Sequence, residues 1–254
     1  MLSKVLDRGA PIGANRLLAL LRKMFNYAVE ELEIITTSPC LKIKAPAPEN
    51  RRDRVFTTDE IFAFWIGLDG TRMAEGTKLI LKLQLVTGQR KGEIVSAAWE
   101  EIDLTDKWWT IPPEKAKNKM AHRVPLSPLA MELLQAAKPL SGDSPWVFPS
   151  PRVGKHITPE AVDHALRRPG LEALGFTFVP HDLRRTAASL MTGMGTSRLV
   201  VSKILNHVER GVTSVYDRHS YDLEKRQALE SWAHKLKNII EGTESNVVPM
   251  VRQA

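Results

Sequence analysis

A chain of 254 residues with 43% hydrophobic and 6% aromatic residues can bury a sizeable core, which excludes a disordered tail and weakens any picture of an extended base-stacking surface. A formal charge of +7 suits a polyanion partner, and the single cysteine, Cys40, excludes an internal disulfide. No apolar stretch approaches a membrane span and Met1–Gly9 lacks signal-peptide character, so the expectation is a soluble protein of a reducing cytoplasm.

Leu17, Leu21, Phe25, Ala28 and Leu32 recur at helical spacing and predict an amphipathic helix over Asn15–Leu32. Its stripe has no obvious partner, because few residues precede it and a lone helix cannot bury its own apolar face. Either it packs on the main domain or an N-terminal portion is missing; the second is expected. Thr36–Arg54 follows, with Pro39, Pro46 and Pro48 among Lys42, Lys44, Arg51, Arg52 and Arg54. Proline spacing predicts an extended, semi-rigid stretch whose basic residues either track a phosphate backbone or are simply solvated. The expected organisation is a helical piece over 1–45, a basic linker over 46–54 and the main domain over 55–254.

From Val55 onward a mainly α domain with a small antiparallel three-stranded sheet is expected. Thr57 or Thr58 caps a helix through Ile61, Phe64 and Trp65, and a second helix, Thr77–Thr87, ends at Gly88. A third begins near Arg90. Ile102–Leu104, Trp108–Ile111 and Arg123–Leu126 read as strands, and Ser127 caps a helix over Leu129–Ala137. Further helices are predicted at Glu160–Arg167, His181–Thr192, Arg198–Asn206 and Leu223–Ile240.

Five short signatures occur in order along this domain. In Thr87-Gly88-Gln89-Arg90-Lys91-Gly92-Glu93 a glycine ends one helix and an arginine opens the next, where free N–H groups favour an anion. Lys115, Lys117, Lys119 and Arg123 cluster around a hairpin tip with no acid among them; such lysines also commonly protect an edge strand. His181-Asp182-Leu183-Arg184 puts His181 and Arg184 on one helix face, able to hold two phosphate oxygens or to form a plain polar surface. Leu205-Asn206-His207 follows a helix end, and Tyr216 lies nine residues beyond His207. Taken singly, each signal is weak.

Together they read Arg…Lys…His-x-x-Arg…His…Tyr, which resembles the catalytic set of the tyrosine recombinases of the phage-integrase type. The resemblance covers roughly Val55 to Leu229, and Val215-Tyr216-Asp217-Arg218 is similar to prophage-type integrases in particular. Asn206 departs from the pattern, since the family usually has glycine before this histidine; asparagine also tolerates the left-handed conformation. The resemblance implies a truncated core-binding domain before the linker, and DNA cutting and rejoining through a 3′-phosphotyrosine on Tyr216. It implies Arg90 and Arg184 on the phosphate oxygens, Lys117 protonating the leaving 5′-oxygen, His181 assisting the tyrosine and His207 donating to the phosphate. Lys42, Lys44, Arg51, Arg52, Lys115 and Lys119 would bind DNA. The implied partners are double-stranded DNA and, on it, three further copies of a chain that is monomeric when free, with accessory DNA-bending proteins possible. Localisation to the nucleoid of a bacterial cytoplasm follows. With this much fixed positive charge, no metal and no cofactor are expected. A type IB topoisomerase and a non-enzymatic DNA-binding relic are the alternatives.

Other residues carry blander readings. Tyr221 is a rival nucleophile that the spacing from His207 disfavours, and Glu93 supports the Arg90 turn. His122, His156, His164, His219 and His234 lack metal-ligand spacing, and Asp182 has no second carboxylate to share a metal. Trp65, Trp99 and Trp232 read as core.

Overall fold

The computed structural model describes residues 1–49, 52–168, 171, 174–208 and 219–243. The chain divides into two compact units, Met1–Arg52 and Asp53–Ala254.

In the first unit a short helix, α1 (Leu2–Asp7), packs against a long one, α2 (Pro11–Glu30). Helix α2 starts at Pro11, four residues before Asn15, because proline is pre-set for the first helical position. Its stripe is partly covered: Ala14 and Leu18 are buried, Leu17, Leu21, Phe25 and Ala28 half-buried, and Leu32 exposed. Some of that cover comes from the prolyl stretch, which turns back along α2 instead of running extended. Asn15 Nδ2 donates to the Ala47 carbonyl at 2.8 Å, and the Ala47 N–H donates back to Asn15 Oδ1 at 3.1 Å. The Arg22 guanidinium holds the Ile43 carbonyl, and turns at Ser38–Leu41 and Cys40–Ile43 bring Cys40 inside. Folding back satisfies these backbone groups while shielding the helix, which an extended spacer would do for neither. Lys42, Lys44 and Arg52 are exposed; Arg51 lies outside the described residues.

The second unit is mainly helical. Helix α3 (Thr58–Asp69) is opened by a reciprocal cap in which Thr57 Oγ1 accepts from the Glu60 N–H at 3.2 Å and Glu60 Oε2 accepts from the Thr57 N–H at 3.0 Å. Helix α4 (Glu75–Thr87) is central: every residue from Thr77 to Thr87 is buried. Its two lysines escape the core at one end, Lys82 Nζ reaching Asp69 Oδ1 at 2.6 Å and Lys78 Nζ the Asp69 carbonyl at 3.1 Å. Gly88 ends α4 at φ 67, the left-handed conformation glycine adopts without a Cβ penalty. The short helix α5 (Lys91–Val95) follows.

Next comes an antiparallel sheet in the order β1-β2-β3, made of β1 (Ile102–Asp103), β2 (Trp108–Ile111) and β3 (His122–Pro125). Trp109 pairs with Ile102 on one side and Val124 on the other, and all three face the core. Helices α6 (Pro128–Ser141), α7 (Pro159–Ala165), α8 (Pro180–Gly193), α9 (Arg198–Ile204) and α10 (Asp222–Glu241) complete the unit. Helix α4 packs against α5, α6, α8 and α10. Phe56, Phe64, Phe176 and Phe178 meet edge-to-face, with Phe56–Phe176 centroids 5.1 Å apart. Trp232 on α10 is fully buried and donates to the Leu85 carbonyl of α4 at 2.9 Å. Trp65 is buried and Trp99 partly so. No helix among the described residues is long and apolar enough to cross a membrane.

Candidate active site

Helix ends and turns, rather than helix faces, build the site. At the α4–α5 turn Arg90 stands as the N-cap of α5, extended at φ −71 and ψ 142. Glu93, buried one turn later, grips it twice: Oε2 accepts from the Arg90 N–H at 2.9 Å, and Oε1 from its guanidinium at 2.8 Å. One carboxylate thus caps the helix and aims the arginine. Gln89 lies fully inside, donating through Nε2 to the carbonyls of Thr87 and Ile204, each at 2.9 Å. That side chain ties the turn to the end of α9.

Arg184 is not the surface residue that a polar helix face would suggest, since only 3% of it is exposed. It donates through Nη1 to the Gly88 carbonyl at 2.8 Å and through Nη2 to the Leu205 carbonyl, with His207 Nε2 3.3 Å from Nη2. A left-handed glycine is what turns the first of those carbonyls toward it, and Leu205 Cδ2 lies 3.4 Å from where a Cβ on Gly88 would stand. Burial first, then the charge of Arg90, push the Arg184 guanidinium down to about 10, with Glu93 acting against them. It therefore stays charged at neutral pH.

His181 opens α8 at the solvent edge. Partial loss of hydration, then Arg185, Arg184 and Arg90, hold it below the usual histidine range against the opposing Asp182. His207 is held down in the same way, by lost hydration and then by Arg184, Arg90 and His181. Arg90, His181, Arg184 and His207 therefore share one electrostatic neighbourhood, with both imidazoles favoured in the neutral form. Two guanidiniums beside two neutral imidazoles can bind an oxyanion and pass a proton.

The hairpin loop after β2 approaches from the other side. Lys117 is exposed and makes no hydrogen bond or ion pair among the described residues. Asn118 joins the loop to α9 through Asn206, whose backbone is left-handed at φ 49. Lys119 is exposed, also at positive φ. Lys115 differs from its neighbours. Its ammonium is turned inward to Glu101, to the Ser96 carbonyl at 2.7 Å and over the Trp146 ring at 4.8 Å, so it is spent on structure rather than offered to solvent. Tyr216 lies outside the described residues. Tyr221 is described: it sits left-handed at φ 56 before α10, partly buried, with its ring 4.6 Å from His219 and beneath Lys203.

His122 takes the satisfied-core role among those open to a histidine without metal-ligand spacing. It is buried on β3 beneath the cluster and its Nε2–H donates to the Ile204 carbonyl at 3.0 Å. Burial and the charge of Lys225 hold it down to about 4, against the Ile204 hydrogen bond and with Arg184 and Arg90 adding to the shift. Among the described residues no group of three or more His, Cys, Asp or Glu side chains is placed to hold a metal ion. Asp182 is instead committed to the Val179 N–H at 3.0 Å and to Arg185 at 3.2 Å.

Residues 55–222 match the model of the phage integrase family, and the chain belongs to that family. Prophage integrase IntA of Escherichia coli K12 is 30% identical over 234 residues, covering 91% of this chain and 56% of the relative. Prophage integrase IntZ of the same strain is 28% identical over 246 residues, covering 96% of this chain and 60% of the relative. The chain thus spans little more than half the length of these curated relatives. Among solved structures, a lambda integrase dimer (residues 75–356) bound to a COC′ core site superposes with a TM-score of 0.64 at 24% identity, covering 82% of this chain and 76% of that one. The integrase of the Tn1549 transposon in complex with circular intermediate DNA gives 0.64 at 14% identity, covering 90% and 82%. The mainly α fold with its small three-stranded antiparallel sheet is the fold of these neighbours.

Proposed function

We propose that this chain is the strand-cleaving and rejoining part of a site-specific DNA recombinase, acting through a 3′-phosphotyrosine on Tyr216 to integrate or excise a mobile element. The observation that carries the reading is the convergence of Arg90, His181, Arg184 and His207, brought from three separate stretches of chain, with Arg184 anchored on a buried backbone carbonyl and beside His207. In this reading Arg90 and Arg184 bind the non-bridging oxygens of the scissile phosphate, and their charge offsets that of the crowded transition state. His207 donates to a phosphate oxygen. His181, its pKa lowered by partial burial and then by its cationic neighbours, accepts the phenolic proton, which Tyr216 would not release unaided near pH 7. Lys117, exposed and without a partner among the described residues, protonates the departing 5′-oxygen.

The structural neighbours include a lambda integrase bound to DNA and a lambda integrase tetramer bound to a Holliday junction, and these support double-stranded DNA as partner and a tetramer of this chain upon it. Lys42, Lys44, Arg51, Arg52 and Lys119 are assigned to the phosphate backbone; Lys115 is omitted because its charge is already paired. The place of work is the bacterial nucleoid.

The test is covalent trapping on a nicked duplex that carries the end of the mobile element. An adduct resistant to denaturation should form in EDTA, because the phosphate is neutralised by fixed cations. Tyr216→Phe should abolish it while leaving DNA affinity within about twofold, since only the attacking oxygen is lost. Adducts that survive Tyr216→Phe and vanish in Tyr221→Phe would transfer the role to Tyr221. Activity that needs added magnesium would overturn the reading.

A further inference from the structure

Asn206 ends α9 at φ 49, where a glycine would meet no Cβ penalty. An asparagine there calls for a second reason, and its side chain supplies one. Asn118 Nδ2 donates to Asn206 Oδ1 at 2.7 Å and to the Asn206 carbonyl at 3.3 Å, while Asn206 Nδ2 donates back to Asn118 Oδ1 at 3.3 Å. Asn118 Oδ1 also accepts from the Met120 N–H at 3.1 Å, which closes the turn of its own loop. One side chain thus shapes the hairpin loop and fastens it to the end of α9. Asn118 directly follows Lys117, and Asn206 directly precedes His207.

We propose that the Asn118–Asn206 amide pair is a positioning device for Lys117, fixing the middle of its loop against the phosphate-binding cluster; this rests on the phosphotyrosine reading above. During cleavage the Tyr216 oxygen bonds to phosphorus, the P–O5′ bond breaks with its electron pair going to O5′, and the Lys117 ammonium proton completes the 5′-hydroxyl. A lysine side chain is long and rotatable, and Lys117 is exposed with no described residue holding its tip. The accuracy of that proton delivery depends on where the loop places the Lys117 backbone. The backbone of the loop is where the amide pair acts. Arg184 has its own anchors, the carbonyls of Gly88 and Leu205.

The experiment uses the full chain and two versions of the nicked duplex, one with the natural bridging 5′-oxygen and one with sulfur in its place. A thiolate leaves without a proton, so the sulfur duplex reports every contribution except the acid. Asn206→Gly keeps the left-handed turn and removes only the amide; Asn118→Ala removes the other half. Each variant should lose about 10- to 100-fold in single-turnover cleavage of the oxygen duplex, the range expected when a reacting group is misplaced by about an ångström. Each should stay within about twofold of the unaltered chain on the sulfur duplex, and the double variant should be no slower than the worse single one. Equal losses on both duplexes would overturn the proposal by showing a general structural role, as would no loss on either. If the unaltered chain forms no adduct on either duplex, the phosphotyrosine reading fails and takes this inference with it.

Discussion

The α4–α5 turn with α8 and α9, and the hairpin loop between β2 and β3, bring cations to one neighbourhood by opposite means. In the first, Arg184 is buried and two of its five N–H donors are fixed on backbone carbonyls, which sets the direction of the rest, while Arg90 is gripped twice by Glu93. In the second, Lys117 stands in solvent on a loop fastened through the neighbouring Asn118. The difference matches the tasks proposed for them. A phosphate clamp must be in place before charge develops, and rigid donors do this without reorganisation. A group that hands over a proton must move to meet the oxygen it protonates.

The sharpest way to break the contrast is at Arg184. Lysine cannot reproduce the forked donation to Gly88 and Leu205, and each buried carbonyl left without a partner costs about 1–3 kcal/mol. Arg184→Lys should reduce adduct formation by on the order of 1000-fold and lower the melting temperature, with no gain on the sulfur-bridged duplex. A variant as stable as the parent would show that burial of the guanidinium is incidental to the fold. Lys117→Ala should behave differently on every count. Its loss should be on the order of 100- to 10,000-fold on the oxygen duplex, near-complete rescue is expected with sulfur, and the melting temperature should be unchanged, because nothing folded leans on this side chain. Equal rescue of both variants would reassign the acid, with Lys119 tested next.

The smallest expected effect concerns His122, which joins the two regions through Ile204. Its folded pKa of about 4 lies below the ordinary 6.5, so below pH 6.5 the unfolded chain takes up a proton that the folded chain refuses until about pH 4. Stability is therefore full above pH 6.5 and is lost as the pH falls toward 4, by at most about 1.4 kcal/mol per pH unit from this residue. His181 and His207, also held low, act in the same direction. Urea unfolding at pH 7 and pH 5 measures the loss, and His122→Gln should reduce it. An identical pH dependence in the variant would remove His122 from the account.

What was legible in the sequence follows from how local each cause is. The left-handed Gly88, the Thr57 cap, the Arg90–Glu93 turn and the three strands each depend on a few consecutive residues, and each falls within a residue or two of where pattern reading puts it. Helix α1 was missed because it has six residues and no capping side chain. The return of the prolyl stretch along α2 hangs on Asn15, a residue whose type gives no hint of partners more than thirty positions away. The burial of Arg184 was hidden for a related reason. Spacing puts His181 and Arg184 on one face but says nothing of depth, and backbone carbonyls, which every residue has, are what receive the guanidinium. The inward turn of Lys115 and the Asn118–Asn206 pair are likewise long-range choices that a basic cluster and a turn residue do not announce.

The small sheet has a consequence for assembly. With the order β1-β2-β3, its two borders are β1, two residues long, and β3. Helix α10 packs against β3, and Lys225 Nζ occupies the Arg123 carbonyl at 3.0 Å while pairing with Asp222 at 2.8 Å. A strand from another molecule would find one border already covered and the other too short to template a ladder. Pairing of two copies of this chain through these sheet borders is thereby disfavoured.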